Sequence, residues 1–340
     1  MSPLTSLRFE VLQGPEALRA ASAAAQCCFQ HPDWVSAAAA ARNRLHTLAV
    51  VRSRGANGFE ALMTGGVHRR FGLPVFESMP MGGYGGWLTE WPLSLEEECQ
   101  LNCAWLRRAR WPLVVLTSVP GRVATLPDPG TRRWWPRRLR ERLAPRRFVT
   151  HVLDLAADDA ILLQRTRPKL RGCLRKADQL GFEFEVAGNA LALARFHGWY
   201  SRGSQHWQQA AASLLPEGFF TALAASGTAR VWLVRHQGQE VGAALFLLGR
   251  HEVQYQASGC LRIDSPLSVT EAVLWSAARH YRDHGFVAMN FGASEGLDGV
   301  AFFKEKFGAL AVPYMRAGYL VPALMHCAAK PAFAGDEMPA

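Results

Sequence analysis

The side chains best suited to chemistry are cations gathered near the middle of the chain. Residues 132–148 hold eight arginines and one glutamate around Trp134 and Trp135, and Arg137 and Arg138 lie inside this run. A predicted basic helix over 158–181, with Pro168 in a break or a first turn, adds Arg165, Arg167, Lys169, Arg171, Arg175 and Lys176. Clustered cations bind phosphate, so this density favours tRNA, a nucleotide-linked precursor or an anionic membrane surface as partner. The alternative is an interdomain linker and a solvated helix that are basic through composition alone.

Lysine is more informative than arginine in this sequence. Only five of the 38 basic residues are lysine and isoleucine occurs twice, a bias typical of a GC-rich genome. Two of the five, Lys304 and Lys306, fall in the segment FFKEKFG at 302–308. A cation kept as lysine in such a chain favours a function for Lys304, and we expect Lys306 at the surface. The alternative places both lysines on a solvated helix face beside Phe303 and Phe307.

Other catalytic and metal-binding patterns are missing from the sequence. Cys99 and Cys103 are four residues apart on a predicted helix, but no second pair or histidine stands at ligand spacing, so we expect no metal. The seven cysteines form no disulfide framework. His280 and His284 lack the glutamate of a metalloprotease helix, and no nucleophile elbow or phosphate-binding glycine loop occurs. Spacing alone therefore identifies no general base.

Length and composition bound the class of protein. The chain has 340 residues, 49% of them hydrophobic and 19% charged, with a formal net charge of +10. These values fit two globular domains and exclude a disordered or collagen-like chain. No window reaches the ~18 apolar residues of a membrane span, and the N-terminus lacks the layout of a secretory signal. We therefore expect a cytoplasmic protein.

The order of predicted elements is that of a mixed α/β protein. Residues 148–322 predict a strand, helices, a three-strand meander, a helix, a strand, a short helix and a last strand. The first half shows a rougher version of this order, including a hairpin of 45–52 with 59–67. We expect an N-terminal domain over 1–147, a C-terminal domain over 148–325 and a disordered tail over 326–340.

Six short motifs occur in an order typical of one family. They are F-x-H-P-x-W at 29–34, PMGGYGG at 80–86, RGCLRKA at 171–177 with Gly181, QEVGAA at 239–244, NFG at 290–292 after Pro266, and FKEKFG at 303–308. Their order and spacing resemble the Fem-type aminoacyltransferases, bacterial GNAT-fold proteins that build peptidoglycan cross-bridges. The resemblance covers most of residues 26–321. It implies tandem GNAT-like domains of mixed α/β sheets with an interdomain cleft, the second domain being catalytic.

The resemblance also implies roles for particular residues. The family's reaction is attack by an amine on an acyl carbonyl, and Lys304 would be the cation near the developing oxyanion, with Phe303 beside the acyl ester. Arg202 and His206 are the nearest candidates for the acceptor pocket. Asn290 stands where the family usually has Asp, and we include it among the substrate-binding residues. The glycine-rich loop at 82–86 brings Tyr84 and Trp87 as further candidates, although a tight loop needs no ligand.

Three functions remain open on the sequence. The preferred one is transfer of an aminoacyl group from aminoacyl-tRNA, as co-substrate, to an amine of a peptide-like, cell-wall-type or nucleotide-linked acceptor, without a resident cofactor or metal. The alternative is an N-acyltransferase that uses acyl-CoA on an amino sugar or small amine. The letters Q-x-x-G-x-A at 239–244 fit a CoA signature but open a predicted strand rather than a helix. The third is a non-catalytic nucleic-acid-binding GNAT scaffold.

Overall fold

The chain forms two compact units. The computed structural model describes residue 4 and residues 6–42, 47–55, 58–70, 72–128, 137–204, 214–261, 269–294 and 297–321. The first unit comprises Met1–Ala25, Phe29–Val149 and Pro313–Ala340, and the second Gln26–Cys28 and Thr150–Val312. The sequence placed the division after residue 147 and ended the second domain at 325. In the structure the chain returns to the first unit at Pro313, because its last strand pairs there. The predicted tail over 326–340 lies outside the described residues.

The helices and strands follow one another in mixed order. The elements up to the division are β1 (Arg8–Leu12), α1 (Gly14–Ala24), α2 (Pro32–Arg42), β2 (Thr47–Arg54), β3 (Glu60–Arg70), β4 (Leu73–Glu77), β5 (Leu88–Thr89), α3 (Leu95–Leu106), β6 (Leu113–Thr117), α4 (Arg137–Leu143) and β7 (Arg146–Asp154). Those after it are α5 (Asp159–Arg165), α6 (Pro168–Leu180), β8 (Glu183–Ala187), α7 (Ala190–Ser204), α8 (Glu217–Ala224), β9 (Ala229–His236), β10 (Gln239–Leu248), β11 (Glu252–Cys260), α9 (Val269–Asp283), β12 (Ala288–Ala293), α10 (Asp298–Glu305) and β13 (Leu310–Leu320). The mixed α/β class predicted from the sequence is confirmed.

The first unit is built on a mixed sheet with the strand order β1-β2-β3-β4-β6-β13. The predicted hairpin is present as the antiparallel pair β2 and β3, whereas β4 and β6 run parallel. Helix α3 begins with a capping box, in which Ser94 and Glu97 satisfy each other's backbone N–H groups. Its buried face carries Trp105 into a core rich in aromatic rings. Burial of large apolar side chains is what stabilises this unit.

The strands of the second unit follow the order β7-β12-β11-β10-β9-β8. The predicted meander is present, since β9, β10 and β11 pair antiparallel in sequence order. Strands β11 and β12 run parallel, and their pairing covers only three residues, from Glu252 opposite Ala288 to Gln254 opposite Asn290. Helices α6 and α9 bury their apolar faces in the core of this unit.

The long basic helix predicted over 158–181 is two helices in the structure. Helix α5 ends at Arg165 and α6 begins at Pro168. Pro168 has no N–H to donate and forces the preceding residue out of the helical region, and Arg167 is accordingly extended. The sequence anticipated a break or first turn at Pro168, and this is confirmed. Among the described residues no helix is long and apolar enough to cross a membrane.

Candidate active site

A β-bulge in β12 lies among several buried polar side chains of the second unit. Asn290 lies opposite Val152 of β7, and Ala293 lies opposite Thr150, so β12 has one residue more than its partner between these pairs. Gly292 takes a positive φ of 75° within the bulge, a conformation that glycine adopts without steric cost. Successive carbonyls of a regular strand point in opposite directions. The bulge instead brings the carbonyls of Gly292 and Ala293 to one point.

Lys304 occupies that point. It lies in the last turn of α10, is 4% exposed, and its Nζ donates hydrogen bonds of 2.7 Å to the carbonyl oxygens of both Gly292 and Ala293. A buried ammonium requires such acceptors, and each hydrogen bond from a charged group contributes about 1.5–3 kcal/mol. The structure therefore gives Lys304 an anchoring role at the bulge. Its predicted catalytic role is compatible with this position and stays a prediction.

Asn290 is fully buried and completes the bulge. Its Oδ1 accepts from Thr150 Oγ1 at 2.6 Å and from the backbone N–H of Gly292 at 2.9 Å. Its Nδ2 faces Glu252 Oε1 at 3.5 Å. An aspartate here would place a second carboxylate beside Glu252, so the amide is the side chain that suits these partners. The neutral amide therefore fits the charge of Glu252 at this position.

His151, which sequence reasoning missed, lies in the same polar region. The side chain belongs to β7, is 2% exposed, and its Nδ1 is 3.2 Å from Ser294 Oγ. Its Nε2 is 3.9 Å from Glu305 Oε1, in the residue after Lys304. Burial lowers the pKa of His151, the neighbouring Lys304 ammonium lowers it further, and Glu305 opposes both effects. His151 is therefore held neutral at neutral pH. A Thr-His pair within the apolar segment FVTHVLDL was the available signal.

The other residues of the FKEKFG motif pack around an aromatic group. Phe303 is half-buried, with its ring centroid 5.6 Å from that of Phe307. Lys306 was expected at the surface, but it forms an ion pair with the buried Glu271, and its Nζ lies 4.2 Å from the Phe303 ring centroid. Lys306 therefore belongs to the packing around Phe303.

The two candidates in the glycine-rich loop are packed into the first unit. Tyr84 is buried in edge contact with Phe29, at 4.8 Å between ring centroids. Trp87 is buried as well, and its Nε1–H donates to Asn102 Oδ1 at 2.8 Å. Because its ring lies in the core and its single donor is used, we assign Trp87 no role in the function proposed below, and its substrate-binding role stays a prediction. Neither residue exposes its ring to solvent, so the structure adds no support to the prediction that they bind substrate.

The predicted phosphate-binding cations divide into anchored and exposed groups. Arg171 points to the end of α5, where its Nη1 donates to the carbonyl of Gln164 at 3.2 Å. Arg167 is exposed and stacks its guanidinium 4.3 Å from the ring centroid of Phe302. The remaining cations of α6 comprise the exposed Lys169 and Arg175 and the half-buried Lys176. Arg167, Lys169 and Arg175 are therefore the exposed cations of this region, and Arg167 is already 3.5 Å from the carboxylate of Glu305.

The remaining candidates are spread over other elements. Arg137 is exposed and pairs with Glu141 one helical turn away, at 2.6 Å. Residues 132–136 and the side chain of Arg138 lie outside the part of the chain that the structure describes. Arg202 is exposed, with its guanidinium 5.2 Å from the ring centroid of Trp199, and His206 falls outside the described residues. The described ranges contain no group of three or more His, Cys, Asp or Glu side chains that could hold a metal ion.

The letters of the CoA signature have a structural explanation of their own. Residues 239–244 lie in β10. The glycine and the alanine of the signature, Gly242 and Ala244, pair with Cys260 and Ser258 of β11. A Cβ on Gly242 would lie 2.6 Å from Cys260 Sγ on β11. Close contact between the strands, rather than a ligand, therefore requires glycine here.

Comparison with known proteins gives the same picture of the fold. Residues 164–305 match the family model described as an acetyltransferase (GNAT) domain. The crystal structure of FemX is similar over 90% of this chain and 96% of its own, with a TM-score of 0.63 and 12% identity. A C-terminal domain assigned to a lysylphosphatidylglycerol synthetase of Agrobacterium fabrum is similar over 89% and 91%, with a TM-score of 0.52 and 13% identity. L-PGS from Bacillus licheniformis is similar over 92% and 95%, with a TM-score of 0.50 and 12% identity. No curated protein sequence matches the chain.

Proposed function

We propose that this protein, a GNAT-type acyltransferase with a Fem-like fold, transfers an aminoacyl group from aminoacyl-tRNA to an amine. The acceptor would be peptide-like, cell-wall-type or nucleotide-linked. In this reaction the amine nitrogen attacks the ester carbonyl carbon, negative charge develops on the carbonyl oxygen, and the ribose oxygen leaves. The ester is already activated, so positioning and stabilisation of the oxyanion supply most of the rate.

Lys304 and Phe303 are the residues that we assign to the acyl group. The bulge carbonyls hold Nζ of Lys304 in place before any substrate arrives. A preorganised charge in a buried site stabilises a developing oxyanion more strongly than a mobile one in water. Phe303, on the preceding position of α10, offers a half-buried apolar surface for the acyl ester. Asn290 acts on the site by fixing the bulge.

The observation that carries the choice of donor is the position of Gly242. Its glycine is required by the contact with Cys260, and the sequence between β11 and α9 contains no glycine to form a phosphate-binding loop. The exposed Arg167, Lys169 and Arg175 offer cations to a phosphate backbone instead. These two features support tRNA over CoA as the carrier of the acyl group.

The name of one similar structure supports an aminoacyl group as the cargo. Lysylphosphatidylglycerol, the product named for that synthetase, carries a lysyl group. An anionic lipid head group is therefore a further acceptor to test, together with contact of the basic face with a membrane surface. We place the reaction in the cytoplasm, where aminoacyl-tRNA is made.

CoA-dependent N-acylation of an amino sugar or small amine is the second candidate function. The acetyltransferase description of the domain matched by residues 164–305 favours it. The two functions share the attack of an amine on an acyl carbonyl and differ in the donor.

Binding of the donor separates the two functions without knowledge of the acceptor. The purified protein is tested against aminoacylated bulk tRNA, the same tRNA after deacylation, and acetyl-CoA. We expect tighter binding of the charged tRNA and no saturable binding of acetyl-CoA. Saturable acetyl-CoA binding without preference for charged tRNA would overturn the proposed donor in favour of the second candidate.

The basic face provides a charge-matched test of the tRNA contact. Arg175→Gln should weaken tRNA binding and reduce the slope of log K against log salt by about one. Arg235→Gln is the control, since Arg235 is half-exposed on β9 and already paired with Glu185 at 3.0 Å. Equal effects of the two variants would mean that tRNA responds only to net charge, and the contact on α6 would be rejected.

A further inference from the structure

We propose that Ser294 and His151 form the proton path of the acyl transfer, with Ser294 contacting the attacking amine and His151 acting as the base. This inference rests on the proposed function only in requiring an amine that attacks an acyl carbonyl. It assigns to this chain the general base that sequence patterns did not reveal.

The geometry of the pair carries the assignment. Ser294 Oγ and His151 Nδ1 are 3.2 Å apart, within reach of a hydrogen bond, although one belongs to the end of β12 and the other to β7. The proposal requires the tautomer in which Nδ1 accepts from the serine hydroxyl and the ring hydrogen lies on Nε2. Both side chains are nearly buried, Ser294 at 6% exposure and His151 at 2%. Of the two, Ser294 is slightly the more exposed, so the proposal places it next to the amine.

The charges around the ring suit a base that is neutral at rest. The groups that face His151 are Ser294 after β12 and Lys304 and Glu305 of α10. The Lys304 ammonium disfavours a protonated imidazole, and the Glu305 carboxylate, 3.9 Å from Nε2, favours it. Glu305 also forms an ion pair with Arg167, at 3.5 Å between Oε2 and Nη2. A neutral ring with a carboxylate behind it can accept a proton and stabilise the resulting imidazolium.

The proposed step conserves atoms and charge. As the amine nitrogen bonds to the carbonyl carbon, one of its N–H bonds breaks and that proton moves to Ser294 Oγ. The hydroxyl proton of Ser294 moves at the same time to Nδ1 of His151. When the ester C–O bond breaks, the imidazolium returns a proton through the same hydroxyl to the leaving oxygen. The enzyme ends in its starting protonation state.

The last turn of α10, which carries Lys304, would support both oxyanion stabilisation and proton transfer. Lys304 holds the carbonyls of Gly292 and Ala293, the two residues directly before Ser294. The bulge therefore fixes the position of Ser294 relative to β7, where His151 lies. Oxyanion stabilisation and proton transfer would then depend on a single hydrogen-bonded unit.

The test compares pH profiles of kcat/KM for three variants and a control. We expect His151→Gln to lower kcat by about 10²–10⁴-fold and to abolish the acidic limb of the profile. Glu305→Gln should move that limb to lower pH, since it removes the charge that raises the pKa of His151. Ser294→Ala should lower kcat with little change in KM. His284→Gln, at an exposed histidine of α9's C-terminal side, should leave the profile unchanged.

Stability and donor identity are separated from the base role by independent readouts. Thermal unfolding identifies any variant that fails to fold. If one of the buried variants does not fold, Glu305→Gln, at a half-exposed side chain, still tests the proposal through the shift of the acidic limb of its pH profile. If charged tRNA gives no transfer and acetyl-CoA does, the proposed donor is wrong and the profiles are measured with acetyl-CoA.

A titration of the His151 ring by NMR decides the inference even without turnover. We expect a ring that is neutral at pH 7 and whose pKa falls further in Glu305→Gln. An unchanged acidic limb in His151→Gln, or a His151 ring that is charged at pH 7, would overturn the proposal.

Discussion

The glycine-rich loop of the first unit, residues 79–88, and the bulge of the second, residues 290–294, invite comparison. Both combine glycine with aromatic or polar side chains in sequence, and both supplied candidate substrate-binding residues. In the loop the glycines make room for packing, since a Cβ on Gly85 would lie 2.7 Å from Met79. In the bulge Gly292 aligns carbonyls around a buried ammonium. In the loop, glycine allows apolar side chains to pack closely. In the bulge, glycine allows a backbone conformation that supports a network of polar groups.

The difference shows which kind of burial marks a site. Tyr84 and Trp87 are buried, each contributes through its buried apolar area, and Trp87 also donates one hydrogen bond to Asn102. Around the bulge, Thr150, His151, Asn290, Ser294 and Lys304 are buried polar groups. Burial of polar groups is costly unless they are paired, so a protein keeps such a cluster where it serves a purpose. The comparison can be tested by substitutions on each side.

Among the three substitutions that test this comparison, the largest effect is expected at Lys304. Lys304→Met keeps an unbranched side chain but removes the ammonium, leaving the carbonyls of Gly292 and Ala293 without their buried donor. We expect kcat to fall by about 10²–10³-fold and the free energy of unfolding by about 2–4 kcal/mol. Steady-state kinetics and denaturant unfolding measure the two. Retention of wild-type kcat in a destabilised protein would make Lys304 an anchor alone.

An intermediate effect is expected at Trp87, in stability only. Trp87→Phe shortens the ring and leaves Oδ1 of the buried Asn102 without its donor. We expect the free energy of unfolding to fall by about 1–3 kcal/mol while kcat/KM stays within twofold of wild type. A large rise in KM with unchanged stability would show that Trp87 contacts substrate and would remove the contrast between the two regions.

The smallest effect is expected from Asn290→Asp, and it depends on pH. The new carboxylate would face Glu252, whose Oε1 is 3.5 Å from the present amide nitrogen. Like charges at this distance oppose each other's ionisation, so the variant is destabilised at neutral pH and the loss is relieved as pH falls toward the carboxyl range. We expect a loss of about 1 kcal/mol at pH 7.

The measurement for this variant is the difference in unfolding midpoint from wild type between pH 4.5 and 7.5. A difference that does not change with pH would mean that geometry, rather than charge, selects Asn at this position.

The sequence predicted the mixed α/β class, the hairpin and meander, and the Fem-type GNAT resemblance, all of which are confirmed. Alternating apolar residues and turn residues are local patterns, so they predict strands and hairpins without knowledge of the tertiary structure. The break at Pro168 was likewise readable, because proline acts on its own neighbours.

The polar network could not be predicted in the same way. His151 and Ser294 are 143 residues apart in the chain, and only the pairing of β7 with β12 brings them together. The ion pair of Lys306 with Glu271 spans 35 residues and depends on the packing of α9. The scarcity of lysine and the family resemblance singled out Lys304 but not the bulge that holds it, since a register shift leaves no mark in a single sequence.

The return of the chain to the first unit at Pro313 has a consequence for synthesis on the ribosome. Strand β13 pairs with β6 about two hundred residues after β6 is made, with Arg316 opposite Thr117. Tyr319, fully buried, then closes the core by donating to the carbonyl of Pro127 at 2.9 Å. Pairing over so long a separation is slow, and a unit that waits for its last strand exposes an unpaired edge. The second unit can fold as soon as residue 312 emerges, so the first part of the chain to be made would be the last to reach its native state.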